Sequence, residues 1–364
     1  MNIFFLIRSL DPGGAERQLV ALANGMAERG HQVTLAVFYS GGELANDLDP
    51  AISQLDLQKT GRWDTLAFLG RLVREVKKTT PDILYAFLGT ANLMSTLIKP
   101  FLKHIPVIWG VRASNMDMSH YGLVHQLHFK AECLFSRFTN AIITNSHAGA
   151  AYIKTCGYPT NKVKVIPNGI DTKTYSPSAT TAKNGFTIGM VARIDPMKDH
   201  ETFLRAAAMV AEKIPKATFR CVGRGAPDRI AELTALSTTL GIADRTFFQG
   251  EQRDMTDEYN KLDMVCLSSA FGEGFPNVLG EAMACAIPCV ATNVGDAAQV
   301  IGNTGFTVPP ACPEELAEAI IVLQNRMQSD PDLPAQCRQR IKTNFSIKNL
   351  IDATEKSLNR LIKE

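Results

Sequence analysis

The chain has 364 residues, 45% of them apolar and 20% charged, with 26 Gly and 18 Pro. That composition belongs to a globular protein and excludes a mostly disordered, collagen-like or coiled-coil chain. The length exceeds what one core usually supports, so two domains are expected. A formal net charge of only +2 argues against a dedicated nucleic-acid binder.

Taken in chain order, the first half opens with a strand at Ile3–Ile7, the run SLDPGGAE, and an apolar-periodic helix over 15–29. Gly30 can end that helix, and Val33–Phe38 reads as the next strand, which makes a βαβ unit with a Gly-Gly turn at its first crossover. Further strands fit 83–87, 106–109, 141–144 and 163–166; helices fit 64–79, 91–102, 121–138 and 147–156. These strands are short apolar runs, as expected where helices cover both faces of a parallel sheet. The Pro-, Gly-, Ser- and Thr-rich stretch from Pro167 to Gly185 interrupts the alternation and marks the domain boundary.

A second alternation follows. Strands fit 186–191, 217–222, 246–248, 264–268 and 289–291; helices fit 199–213, 227–240, 277–286 and 313–328. The tail from Ser346 to Lys363 reads as one more amphipathic helix, with Ser346 at its start. The expected domains are therefore 1–170, 171–345 and a C-terminal helix, 346–364, whose assignment to the first or second domain stays open on pattern alone. Two doubly wound α/β sheets bind ligands beyond the C-terminal ends of their strands, so the chemistry is sought in the loops there.

Charge is uneven. Residues 1–170 carry 17 Lys+Arg against 12 Asp+Glu, and residues 171–364 carry 21 against 24. The first half is the better candidate for meeting an anionic acceptor or surface. The eight Cys form no C-x-x-C pair, and several lie in apolar runs, as buried thiols in a reducing compartment would. The opening apolar run is too short for an export signal or a membrane span, so a cytoplasmic location is expected. Helix 121–138 mixes Leu, Phe and Tyr with Lys130 and Arg137; an ordinary crossover helix is the favoured reading, and a face meeting anionic lipid is the other.

Four loops hold candidate chemistry. Gly13 and Gly14 permit close backbone approach at a helix N-terminus, which suits an anion or a tight turn equally. In VARIDPMKDH, Arg193 and Lys198 place two cations at a strand-to-helix loop, where they can neutralise a diphosphate. Gly223, in CVGRG, opens another loop. In SSAFGEGFPNVLGEAMA, Glu273 stands between Gly272 and Gly274 ahead of a helix, and Glu281 lies within it among apolar neighbours. A carboxylate so placed is expected to be paired or to face a ligand such as a ribose diol.

These segments resemble a known family. GGAERQL at 13–19, NSHAGAAYI at 145–153, VIPNGID at 165–171, VARIDPMKDH at 191–200 and EGFPNVLGEAMACAIPCVAT at 273–292 are similar to the retaining glycosyltransferases of family 4, which have the GT-B fold. The resemblance covers nearly the whole chain, and the E-x7-E pattern from Glu273 to Glu281 is its specific part. It implies two Rossmann-like domains facing across a cleft, with the final helix crossing back to the first. It implies that Glu273 meets donor-sugar hydroxyls, Glu281 the ribose, and Arg193 and Lys198 the diphosphate. Backbone N–H groups of Gly274, Phe275, Asn277 and Val278 would face sugar or phosphates, and Gly13 and Gly14 would close over the donor. Many relatives carry a His just after the strand reading VIWGV. Here Arg112 stands in that place, and His120 is the other candidate for the reacting centre.

The resemblance implies sugar transfer from a nucleotide diphosphate sugar, with UDP favoured, to a lipid-linked glycan or polysaccharide precursor. Retention without an identified carboxylate nucleophile favours front-face transfer, with Arg193 and Lys198 taking the charge role of a metal; no cofactor and no metal site are expected. Asp47 and Asp49 spell D-x-D but read as solvent-facing loop residues. The alternatives are a GT-B-type epimerase or phosphorylase, a non-catalytic sugar-nucleotide binder, and acceptors such as a small soluble metabolite or a phospholipid headgroup. A peripheral contact with the cytoplasmic membrane face is the expected partnership if the acceptor is lipid-linked.

Overall fold

A computed structural model describes residues 1–112, 122–178 and 185–363, without the side chains of Arg62, Leu123 and His125. His120 lies outside the described residues. The chain divides into two compact units, Met1–Gly169 with Ile347–Glu364, and Ile170–Ser346.

The first unit runs β1 (Asn2–Ile7), α1 (Gly14–Glu28), β2 (Gln32–Val37), β3 (Ser53–Asp56), α2 (Thr65–Thr79), β4 (Ile83–Phe87), α3 (Gly89–Ile98), β5 (Val107–Val111), α4 (Leu123–Phe135), β6 (Ala141–Thr144), α5 (His147–Thr155) and β7 (Val163–Val165). Its seven strands are all parallel, in the order β3-β2-β1-β4-β5-β6-β7. The order reverses between β1 and β4, so the loops that follow these two strands flank the crevice where such sheets take ligands. Ile3, Phe5, Ile7, Tyr85 and Phe87 are buried on one face with α1, while Phe4, Leu6, Phe68 and Trp109 fill the other. The strands read as continuous apolar runs because both faces are covered.

The second unit runs β8 (Phe186–Val191), α6 (His200–Lys213), β9 (Ala217–Val222), α7 (Pro227–Thr239), β10 (Thr246–Gly250), α8 (Met255–Asn260), β11 (Met264–Leu267), α9 (Asn277–Ala284), β12 (Cys289–Thr292), α10 (Ala297–Ile301), β13 (Phe306–Val308), α11 (Pro313–Ser329) and α12 (Leu333–Asn344). Its parallel order is β10-β9-β8-β11-β12-β13, reversing between β8 and β11. The final helix, α13 (Ile347–Lys363), belongs to the first unit. Leu350, Ile351 and Leu358 of α13 are buried with the α1 core, and Arg29 of the segment after α1 forms ion pairs with Asp352 and Glu355. A side chain at Gly25 of α1 would collide with Ile351, at 2.0 Å from its Cδ1. The glycine therefore permits the close approach of the two helices.

Burial in the second unit leaves one conspicuous polar group. His200, at the start of α6, is 2% exposed, and neither ring nitrogen has a hydrogen-bond partner among the described residues. Burial first, then the charges of Arg229 and Lys198, push its pKa down to about 4. The unfolded imidazole binds a proton near pH 6.5. Its contribution to stability is therefore complete above that pH and is lost as pH falls toward 4. At pH 5 the expected loss is about 2 kcal/mol relative to pH 8. The variant His200→Leu should lack this part of the acid destabilisation, which urea unfolding at the two pH values measures; an unchanged pH dependence would contradict the assignment.

Candidate functional site

In the second unit, the loops after β8 and β11 meet at the switch point. The β8 loop is built by two caps: Asp195 Oδ1 accepts from the Met197 N–H at 2.9 Å, and Asp199, at φ +50°, accepts from the N–H and hydroxyl of Thr202 at 3.1 and 2.6 Å. These carboxylates serve orphan N–H groups at helix starts. The β11 loop is then tied to it. Ser268 Oγ donates within reach of the Lys198 and Asp199 carbonyls, at 3.1 and 2.9 Å, and the Ala270 N–H donates to the Met197 carbonyl at 2.8 Å. Gly272, at φ +78°, lies so close to Met197 that a Cβ would sit 2.5 Å from its sulfur.

This join brings two predicted residues together. Lys198 Nζ and Glu273 Oε1 form an ion pair with little solvent exposure, and Ser269 Oγ donates to the same carboxylate oxygen at 2.6 Å. Arg193, five residues before Lys198, is exposed on the same loop, and no ion pair or side-chain hydrogen bond holds it among the described residues. The loop's backbone is fixed from the opposite side by Gly295. At φ +63°, a Cβ there would come within 2.5 Å of the carbonyl oxygens of Glu273 and Gly274, and the Asp296 N–H bonds the latter at 2.9 Å. Phe275 is buried, while Asn277 and Val278 open the first turn of α9 half-exposed. No side chain of the preceding Pro276 caps that turn.

Glu281 lies one turn further on. Its Oε2 accepts the phenolic O–H of Tyr259 at 2.7 Å. Tyr259 is wholly buried against Tyr175, and burial together with the Glu281 charge pushes its pKa well up, so it stays a donor. It fixes the orientation of the carboxylate. Gly223, after β9, approaches the Ala192 carbonyl so closely, at φ +150°, that a Cβ would lie 2.0 Å away. Its observed role is close packing of neighbouring strand ends.

The first unit holds the remaining predicted residues. Gly13 caps α1 and Gly14 begins it, but the place in front of them is taken: Glu16 folds its carboxylate over Gly13, where a Cβ would meet Oε2 at 2.1 Å. Burial, and then the charge of Asp11, raise the Glu16 pKa against a lowering by its own backbone N–H. Arg112 follows β5 and donates to Asn168 Oδ1 at 3.2 Å and to Tyr85 Oη at 3.3 Å. Its guanidinium lies 4.7 Å from the centre of the Phe87 ring. Among the described residues no three His, Cys, Asp or Glu side chains gather as a metal set. Asp47 is exposed in a single-turn helix, and Asp49 caps the turn at Ala51.

Sequence reasoning missed Tyr259, Ser268 and Ser269. Tyr259 carried little signal of its own, since it stands among Asp257, Glu258, Asn260 and Lys261; only the expectation that a carboxylate at Glu281 needs a donor pointed toward it.

Comparison with known proteins identifies the family and the fold. Residues 12–174 match the family described as Glycosyltransferase Family 4, and residues 185–326 match Glycosyl transferases group 1. The D-inositol 3-phosphate glycosyltransferase of Rhodococcus jostii is 33% identical over 46% of this chain. The match takes in 41% of that protein, so the chain spans less than half its length. A Campylobacter jejuni protein, a GalNAc-alpha-(1->4)-GalNAc-alpha-(1->3)-diNAcBac-PP-undecaprenol alpha-1,4-N-acetyl-D-galactosaminyltransferase, is 24% identical over 96% of both chains. Among solved structures, Anabaena HepE in complex with UDP superposes with a TM-score of 0.84 at 23% identity, covering 99% of this chain and 100% of that one. That likeness establishes the GT-B fold.

The Gly295 contact gives a stability test of the loop geometry. Gly295→Ala should cost about 2 kcal/mol or more, because a positive φ and two carbonyl contacts oppose the added methyl. Gly70→Ala, on the exposed face of α2 with nothing within 4 Å of its Cβ position, should stabilise by about 0.5–1 kcal/mol. Denaturant midpoints measure both, and an innocuous Gly295→Ala would show that the loop is not so held.

Proposed function

We propose, from the premise that this chain belongs to the family-4 glycosyltransferases of the GT-B fold, that it moves a sugar from a nucleotide diphosphate sugar to a hydroxyl of a lipid-linked glycan or polysaccharide precursor, with retention and without a metal ion. The observation that supports the reading is the Lys198–Glu273 join, which ties the loop bearing Arg193 to the loop that leads into α9, the helix of Glu281. A UDP-linked donor is favoured, and the UDP complex of Anabaena HepE supports that choice.

Each side chain then has a task its chemistry suits. Glu281, aimed by Tyr259, accepts both hydroxyls of a ribose. Arg193 and Lys198 neutralise the diphosphate as its charge develops on departure, where fixed cations act most strongly. Glu273 accepts sugar hydroxyls, and its pairing with Lys198 keeps both groups oriented before the donor arrives. The first turn of α9, at Asn277 and Val278, adds the positive end of the helix. The leaving phosphate takes the acceptor proton on the front face.

A surface of the first unit supports a lipid-linked acceptor. Val124, Leu127 and Leu134 of α4 are exposed, as are Phe138 just after it and Phe101. Lys130, Lys103 and Arg137 are exposed nearby in sequence, and Lys99 donates to the Phe138 carbonyl at 2.6 Å. Apolar side chains flanked by cations suit an anionic bilayer surface. No described helix is long and apolar enough to cross a membrane.

Two experiments test the reading. In the first, a panel of UDP- and GDP-sugars is incubated with a lipid extract in EDTA, and products are read by mass spectrometry. A hexose or N-acetylhexosamine increment on a lipid-linked glycan is expected. An epimerised donor, or binding without turnover, would overturn transfer. Arg193→Gln and Lys198→Gln should each lower kcat roughly 30- to 1000-fold, the equivalent of about 2–4 kcal/mol, and Glu281→Ala should chiefly weaken nucleotide binding. In the second, sedimentation with vesicles should show binding to anionic but not zwitterionic lipid, lost in Leu127→Ser/Leu134→Ser. Equal recovery in the supernatant would remove the membrane partnership.

A further inference from the structure

Arg112 is a half-buried cation with no counter-charge among the described residues. Its two terminal nitrogens reach only neutral oxygens, those of Asn168 and Tyr85, and its third face rests on the Phe87 ring. Its Nε is sealed from solvent and has no partner among the described residues. Among the described residues no carboxylate pairs with it, and Glu132, a buried-side acid of α4, is already engaged by His128 at 2.8 Å and by Tyr158. A guanidinium partly withdrawn from water with no anion beside it keeps hydrogen-bonding capacity for a ligand.

The unspent capacity is shared with neighbours on the same sheet edge. Val111 and Thr144 are register partners, so Arg112 and Asn145 leave adjacent strands side by side. Asn145 is 4% exposed and its Oδ1 has no partner. Asn92, 1% exposed in α3, donates to the Gly110 carbonyl at 3.2 Å and also leaves its Oδ1 unpartnered. Thus one cation and two buried amide oxygens, with no partners for their remaining bonds among the described residues, lie just after β5 and β6 and in the first half of α3, the helix that follows β4. A cation with an available N–H selects an anion, and carbonyl oxygens select hydroxyl donors.

We propose that this edge of the first unit is a binding site for a phosphoryl group attached to a hydroxylated molecule, with Arg112 as the phosphate ligand and Asn92 and Asn145 as hydroxyl acceptors. The assignment deepens the transferase reading and rests on it for one point, that the molecule is the sugar acceptor. The same chemistry is offered by the diphosphate of a lipid-linked glycan and by a soluble sugar phosphate.

Calorimetry on the full chain tests the site. With the nucleotide site filled by saturating UDP, inorganic pyrophosphate should bind. Arg112→Gln should weaken that binding 10-fold or more, Arg112→Lys should recover part of it, and Arg193→Gln should leave it intact. Thermal unfolding separates ligand binding from folding: pyrophosphate should raise the melting temperature of the parent chain and not that of Arg112→Gln. Two further ligands, a short polyprenyl diphosphate and a hexose 6-phosphate, distinguish the sources, and Arg112-dependent binding of either supports the site. Equal pyrophosphate binding by Arg112→Gln, or none by the parent chain, overturns it. Arg112-dependent binding in a chain that transfers no sugar would sink the transferase reading and leave the phosphoryl site standing.

Discussion

The join between Lys198 and Glu273 governs the geometry of the second unit's site. An ion pair this poorly exposed contributes little net stability, since desolvation offsets most of the attraction. Its consequence is positional. The pair draws the loop after β8 onto the loop after β11, and Ser268 repeats the tie through the backbone carbonyls of Lys198 and Asp199. Asp199, Gly272 and Gly295 then hold left-handed or tightly packed conformations that the surrounding contacts specify. A site preorganised in this way need not spend binding energy on arranging its own side chains.

Much of this was legible in the residues because apolar runs and loop chemistry agreed. β1, β4, β8 and β11 were readable as unbroken apolar segments, and the GGAE, RIDPMK and GEGFPN loops followed them directly. β3 was not, since SQLD at the sheet edge is exposed and mostly polar, with no alternation to find. β13 and α10 are too short for a periodic signal, and α12, LPAQCRQRIKTN, buries only Leu333, Cys337 and Ile341. Glu273 and Glu281 were visible through spacing and context. The pairing of Glu273 with Lys198 was not, because 75 residues separate them and only the sheet order brings β8 beside β11.

The two units manage charge at their strand ends in opposite ways. In the second, Lys198 meets Glu273, and Arg220 and Lys261 share Glu258, so these partly buried cations are matched by carboxylates. In the first, the glycine turn that pattern alone marked as an anion site already has an anion, the carboxylate of Glu16. An incoming phosphate there would meet like charge as well as an occupied helix end. Two strands away, Arg112 is a half-buried cation among neutral partners. A glycine-rich turn is therefore a poor guide to anion binding by itself, because whether a neighbouring carboxylate already occupies the helix end decides what the turn can accept.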